Sequence, residues 1–134
     1  MAGGASLGFT QGQVVQEFYY DDDVALEVRA AIEAATGEAL VDPNYGDVTD
    51  GALVWWRADD AEEEDLVDVL VDVQANLDNG GLIWVLTPKP RRVGHVPPGD
   101  VADAARIAGM QATSAASVSD EWAGTRLMSR GRPA

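Results

Sequence analysis

The sequence predicts an α/β fold: three layers around a mixed sheet that is mostly parallel, with an antiparallel C-terminal strand. Three observations carry this. Ala52-Leu-Val-Trp-Trp-Arg57 and Leu82-Ile-Trp-Val-Leu-Thr87 are apolar runs of strand length. Between them Leu66, Val69, Leu70, Val73 and Leu77 recur at three- and four-residue spacing, the pattern of an amphipathic helix. Strand, helix and strand in that order form a βαβ unit, which pairs its strands in parallel.

The remaining elements follow in chain order. Residues 1–10 are small and uncharged, and they are expected to form a flexible N-terminal tail ahead of a single domain over 11–129. Gln13 to Tyr20 has strand-favouring residues. Asp21-Asp22-Asp23 then opens a helix bearing Val24, Leu26, Val28, Ile32 and Ala35, which Gly37 can close. Ala39-Leu-Val41 is a candidate short strand, and Asp42-Pro-Asn-Tyr-Gly-Asp47 has turn chemistry. That turn resembles a calcium loop only in Asp42-x-Asn44. Asp47 stands where such a loop needs Gly, and Leu53 where it needs a bidentate Glu, so a solvated turn is expected.

The helix of the central unit is expected from Asp59 to Leu77, with Asn79-Gly80-Gly81 as its stop. After the second apolar strand come Pro88 and Pro90, which end it. A helix is expected from Val101 to Ala108, with Asp100 as its N-cap and Gly109 as its stop. Gln111 to Val118 then reads as a strand, residues 120–124 as a turn, and Thr125 to Ser129 as an antiparallel return. Residues 130–134 are expected to be a second flexible tail.

Composition bounds the chemistry. An apolar share of 46% with 24% charged residues is ordinary for a chain that buries a core. The absence of cysteine excludes disulfides and thiolate chemistry, and it fits a reducing compartment. No run approaches the roughly 20 apolar residues of a membrane span, and no secretory leader pattern stands at the N-terminus, so a cytoplasmic location is expected. The net charge is −14. Residues 1–80 carry 19 acidic and 2 basic side chains, whereas residues 81–134 carry 4 acidic and 7 basic. Such a surface repels nucleic acid and anionic lipid, so neither is an expected partner. It serves solubility, or it offers a negative face to a basic protein.

Two groups of residues are candidates for function. Glu62, Glu63, Glu64, Asp65, Asp68 and Asp72 would form the acidic face, either solvated or docking a basic partner. Lys89, Arg91, Arg92 and His95 follow the end of a central strand, the edge where open α/β sheets bind ligands. They would hold a phosphate or carboxylate there, or simply offset nearby carboxylates. The Trp55 and Trp56 side chains, adjacent in a strand, should point to opposite faces. With Trp84 and Trp122 they are core candidates, and any exposed member would mark a binding patch.

From Ala52 onward the order of elements resembles the C-terminal half of a Rossmann-like methyltransferase. The matching residues are Ala52–Trp56, Leu66–Leu77, Gly80-Gly81-Leu82 to Leu86, Val101–Gly109, Gln111–Val118 and Thr125–Met128. More of the chain is covered by Phe9-Thr10-x-Gly12-Gln13, Trp55-Trp56-Arg57, Ile83-Trp84-x-Leu86-Thr87-Pro88-Lys89 and Trp122-x-Gly124-Thr125-Arg126-Leu127. These pieces resemble a family of small bacterial proteins, the domain of unknown function numbered three thousand and fifty-two. Its acidic branch is typical of actinobacteria. The resemblance implies a compact cytosolic α/β protein and supplies no reaction.

Cofactor-binding Rossmann folds place a glycine-rich turn after the first strand. Asp21-Asp22-Asp23 stands there instead, so no cofactor is expected. The leading expectation is a non-catalytic binding or regulatory module whose acidic surface meets a basic partner. The alternative is a degenerate small-molecule binder or methyltransferase-like enzyme with an anion site after Leu82–Thr87. Monomer and homo-oligomer are equally open.

Overall fold

The structure, a computed structural model, describes residues 7–129. A five-stranded sheet has the order β1-β2-β3-β5-β4. Its strands are β1 (Val15–Phe18), β2 (Thr49–Trp55), β3 (Leu77–Pro88), β4 (Met110–Ser117) and β5 (Trp122–Ser129). β1, β2 and β3 pair in parallel, and β5 runs antiparallel to both β3 and β4. Only β5 is reversed. The helices are α1 (Leu26–Thr36), α2 (Ala58–Ala61), α3 (Leu66–Val73) and α4 (Pro98–Ile107).

Strand alternation builds two cores. Ala52, Val54, Trp56, Ile83 and Val85 face α3 and α4, while Leu53, Trp55, Trp84 and Leu86 face α1. Trp55 and Trp56 thus go to opposite layers, and all four tryptophans are buried. The helices supply the matching stripes: Val28 and Ile32 from α1, and Leu66, Val69, Leu70 and Val73 from α3. Gly37 closes α1 at a positive φ of 76°, its amide bonded to the Glu33 carbonyl.

Several boundaries differ from the sequence expectation, each for a physical reason. The expected helix from Asp59 to Leu77 is two helices. Crowded carboxylates between them interrupt the α2 turn, and Asp65 starts α3 afresh by accepting from the Val67 amide at 2.9 Å. Gly80 and Gly81 lie inside β3 rather than at a helix end. Thr49 pairs with Leu77 and Gly51 with Leu82, so residues 78–81 bulge out of register. A Cβ on Gly81 would sit 2.6 Å from Leu77 Cγ, which is why this bulge takes glycine. α4 starts at Pro98, a residue preorganised for the first helical position, so Asp100 lies in its first turn and not at its cap. Trp122 opens β5 instead of belonging to the turn.

The expected flexible tail over 1–10 needs correction at its described end. Leu7 and Phe9 are buried in the α1-side core, and the Leu7 carbonyl accepts from Trp84 Nε1 at 2.7 Å. The Phe9 ring occupies the space that a side chain on Gly51 would need. Residues 1–6 and the expected C-terminal tail over 130–134 lie outside the described residues.

One connection positions the site. α1 does not lead directly to β2. The chain first places Val41 on the outer edge of β1, where it bridges Gln16 in parallel; the Glu17 amide reaches its carbonyl at 2.8 Å. The buried Gln16 Nε2 holds the following turn through the carbonyls of Asp42, Pro43 and Tyr45 at 3.0–3.3 Å. The chain then crosses to β2 on the inner edge. With the single Val41 bridge on one side of β1 and β2 on the other, the carboxyl end of β1 is this chain's counterpart of the switch point where open α/β sheets bind ligands.

Candidate functional site

At that carboxyl end the structure gathers residues from the segments after β1 and β2 and from the start of β5. Arg57 follows β2 and turns back over the sheet. Its guanidinium forks onto Asp23, with Nη2 at 2.6 Å and Nε at 2.8 Å from the two carboxylate oxygens. Its Nη1 donates to the carbonyls of Tyr19 and Trp55, both at 3.1 Å, and reaches Asp60 at 3.3 Å. The Asp60 carboxylate also accepts from the Arg57 amide, so it caps α2. Trp122 lies beneath, its ring centroid 5.3 Å from the guanidinium, and its Nε1 donates to the Asp23 carbonyl. A cation bonded on so many sides closes the edge between β1 and β2.

Charge follows the geometry. Burial works against the Arg57 charge, but the hydrogen bonds and charges of Asp23 and Asp60 outweigh it and raise the pKa. Hydrogen bonding from Arg57 holds the Asp23 carboxyl below its usual range, against a smaller opposing effect of burial. Below this cluster Glu17, almost fully buried, is forked by Arg29 at 2.8 and 2.9 Å and accepts from Trp55 Nε1 at 2.9 Å. Two ion pairs thus tie β1 to the helical layer and to β2.

Tyr19 stands at the switch point with a φ of 62°, a left-handed conformation uncommon for an aromatic residue. Its ring meets Trp56 edge-on, centroids 5.5 Å apart. Two clefts flank Tyr19 and Pro43. One, of about 290 Å³, has apolar walls of Phe18, Val69 and Val73 and carries Glu64 and Asp72. The other, of about 460 Å³, runs over Glu17, Arg29 and Leu40. Burial, together with the charges of Glu64, Asp60 and Asp72, pushes the Tyr19 phenol up from its ordinary value.

The acidic residues singled out in the sequence are all exposed. Glu62, Glu63, Glu64 and Asp65 occupy the link between α2 and α3, and Asp68 and Asp72 the outer side of α3. The cleft brings Glu64 and Asp72 together, and the others stay along the rim. The basic residues lie on the loop after β3, at the same carboxyl edge. They turn towards the β4–β5 hairpin: Lys89 Nζ meets Ser117 Oγ at 2.5 Å, and Arg92 lies 3.3 Å from Glu121. His95 Nδ1 sits 2.8 Å from the Pro88 carbonyl, which can only accept, so that nitrogen carries the proton. Arg91 is exposed at a φ of 75°.

Sequence reasoning missed Tyr19, Asp23 and Arg57 as a unit. Arg57 stood in the Trp55-Trp56-Arg57 string, but a lone cation after a strand carries no sign of its partners. Among the described residues no group of three or more His, Cys, Asp or Glu is arranged to hold a metal ion, and no helix is long and apolar enough to cross a membrane.

Several solved structures with the same architecture are methyltransferases. The CcbJ methyltransferase from Streptomyces caelestis aligns with a TM-score of 0.58 at 9% identity, over 96% of this chain and 94% of that one. Magnesium protoporphyrin IX methyltransferase from Synechocystis PCC 6803, solved with bound SAM, aligns at 0.55 and 10% identity, over 90% and 71%. Identities this low establish the fold alone: a Rossmann-like α/β sheet. The residues here do not fit a nucleoside cofactor at the β1–β2 edge. Where such folds carry a glycine-rich turn this chain has Tyr19 and three aspartates, and Arg57 is tied there to the Tyr19 carbonyl and the Asp23 carboxylate.

Sequence relatives lie closer. Uncharacterized proteins of Mycobacterium tuberculosis (strain ATCC 25618 / H37Rv) and Mycobacterium bovis are each 42% identical over 122 residues, 91% of this chain and 75% of theirs. Residues 4–131 match the family described as Protein of unknown function (DUF3052), and the chain belongs to that family.

Proposed function

We propose that the protein is a non-catalytic binding module that docks a basic protein partner on the acidic carboxyl edge of its sheet. One observation carries the reading. The loops after β1 and β2 bring nine carboxylates to that edge: Asp21, Asp22, Asp23, Asp59, Asp60, Glu62, Glu63, Glu64 and Asp65. Among the described residues only Asp23 and Asp60 of these are in ion pairs, both with Arg57. The other seven, with Asp68 and Asp72 beside them, leave a concentrated negative field at the position where related folds bind ligands. Such a field steers a positively charged partner and sets its register. The Arg57 cluster supports the non-catalytic part, because it occupies the edge with satisfied structural bonds.

The test is capture of partners by wild-type protein at low and high salt, beside a variant with Asp59→Asn, Glu62→Gln, Glu63→Gln and Asp68→Asn. The reading predicts a partner that is lost at high salt and lost from the variant. A partner set indifferent to both would overturn it. A second reading places a small anion at Lys89, Arg91, Arg92 and His95, supported by three cations in one loop beyond β3. Thermal shift against S-adenosylmethionine, nucleotides and phosphorylated metabolites tests it. A bound ligand at 100 times its dissociation constant adds about 2.7 kcal/mol, and no shift across the panel would remove this reading.

A further inference from the structure

We propose that the cleft beside Tyr19 receives a single guanidinium group, the arginine side chain of the docked partner. The inference rests on the acidic docking edge and names what enters it. The cleft volume, about 290 Å³, lies at the lower limit of the roughly 300–1,000 Å³ typical of small-molecule sites. It suits one long side chain rather than a nucleotide. Its lining divides by chemistry: Phe18 and Val73 offer apolar walls, Tyr19 an aromatic ring, and Glu64 and Asp72 two carboxylates. Neither carboxylate is in an ion pair with a cation among the described residues.

That combination matches arginine. The methylene stem packs on apolar walls, the planar head stacks on an aromatic ring, and its fork meets carboxylates. Lysine has the stem and the charge but lacks the plane and the fork. The ring is also set in place before any ligand arrives. The Tyr19 carbonyl is held by Arg57 at 3.1 Å, and the ring rests edge-on against Trp56. Burial is the main cause of the raised phenol pKa of Tyr19, and the nearby charges of Glu64, Asp60 and Asp72 add to it, placing negative charge beside the ring. The two carboxylates lining the cleft favour a cation over a neutral or anionic group.

The test is an NMR titration of the full chain with N-acetylarginine methylamide, with the neutral citrulline and the lysine analogues beside it. Saturable shifts are expected at Phe18, Tyr19, Glu64, Asp72 and Val73. The citrulline compound should bind about tenfold more weakly, having lost the charge for both carboxylates and the ring. Glu64→Gln and Asp72→Asn, both at exposed positions, should each weaken binding about threefold, the scale of an exposed ion pair. No saturable shifts, equal binding of citrulline, or indifference to both substitutions would overturn the inference. A parallel titration with an arginine-rich nonapeptide separates it from the reading beneath it. If Glu62→Gln, Glu63→Gln, Asp68→Asn weakens the peptide while the cleft ignores the arginine compound, the docking edge stands and the cleft inference falls. If the cleft binds the compound and the peptide ignores the rim charges, the cleft stands and the docking edge falls.

Discussion

Arg57 holds two carboxylates and two carbonyls from separate loops, so its loss would leave Asp23 and Asp60 facing each other without a counter-charge. Removing one partner of a buried ion pair costs about 3–5 kcal/mol, but Asp23 is half exposed and can be rehydrated. Arg57→Met should therefore destabilise by about 2–3 kcal/mol in urea unfolding. The pH dependence has a definite sign. The Asp23 pKa is lowered in the folded state, so its pairing stabilises above the ordinary carboxylate value and is lost as pH falls through the folded one. The stability gap between wild type and Arg57→Met should accordingly narrow below about pH 4. At the other end of the scale, Tyr19 should ionise above the ordinary 10.0 in an absorbance titration. Its neutral form is favoured in the fold, so that contribution is present below the ordinary value and lost as pH rises through the folded one. Glu64→Gln with Asp72→Asn should bring its titration back down; an unchanged curve would mean that those carboxylates do not act on the cleft.

Among the elements, close packing recurs where glycine meets an aromatic ring. A Cβ on Gly51 would collide with the Phe9 ring, and one on Gly124 would lie 2.8 Å from Trp84. Gly51→Ala should thus cost about 1–3 kcal/mol by overpacking, and part of the cost should disappear when Phe9 is also cut to Ala. Additive costs would place Phe9 away from β2. By contrast Arg92→Ala, which removes an exposed pair with Glu121, should change stability by less than about 1 kcal/mol. These contacts also explain what was legible in the sequence. β2 and β3 were, because buried parallel strands are written as continuous apolar runs, and the Trp55–Trp56 alternation follows from a period of two. The amphipathic face of α3 was equally plain. Its upstream limit was not, because six neighbouring carboxylates read as one helix start until Asp65 is seen capping a second. Gly80 and Gly81 read as a helix stop because a bulge in β3 depends on Thr49 and Gly51 of another strand. Phe9 looked like tail because its partner, the gap above Gly51, lies far along the chain.

Across the whole molecule, the uneven charge of the sequence becomes a spatial arrangement. Loops after β1 and β2 carry carboxylates, the loop after β3 carries Lys89, Arg91 and Arg92, and all three lie on one edge of the sheet. The charge split was readable from composition. The Arg57 closure was not, since it joins residues from separate parallel loops that only the sheet order brings together. The Rossmann-like scaffold of this chain therefore fills the centre of its carboxyl edge with structural ion pairs, and among the described residues the rim carries carboxylates outside any ion pair. The most direct test compares two variants of equal net charge. One neutralises the rim, with Asp59→Asn, Glu62→Gln, Glu63→Gln and Asp68→Asn. The other neutralises carboxylates off that edge, with Glu38→Gln, Asp47→Asn, Asp78→Asn and Asp103→Asn. Partner capture at low salt should survive the off-edge changes and fail with the rim changes. Equal loss from both, or retention by both, would contradict a docking site on the carboxyl edge.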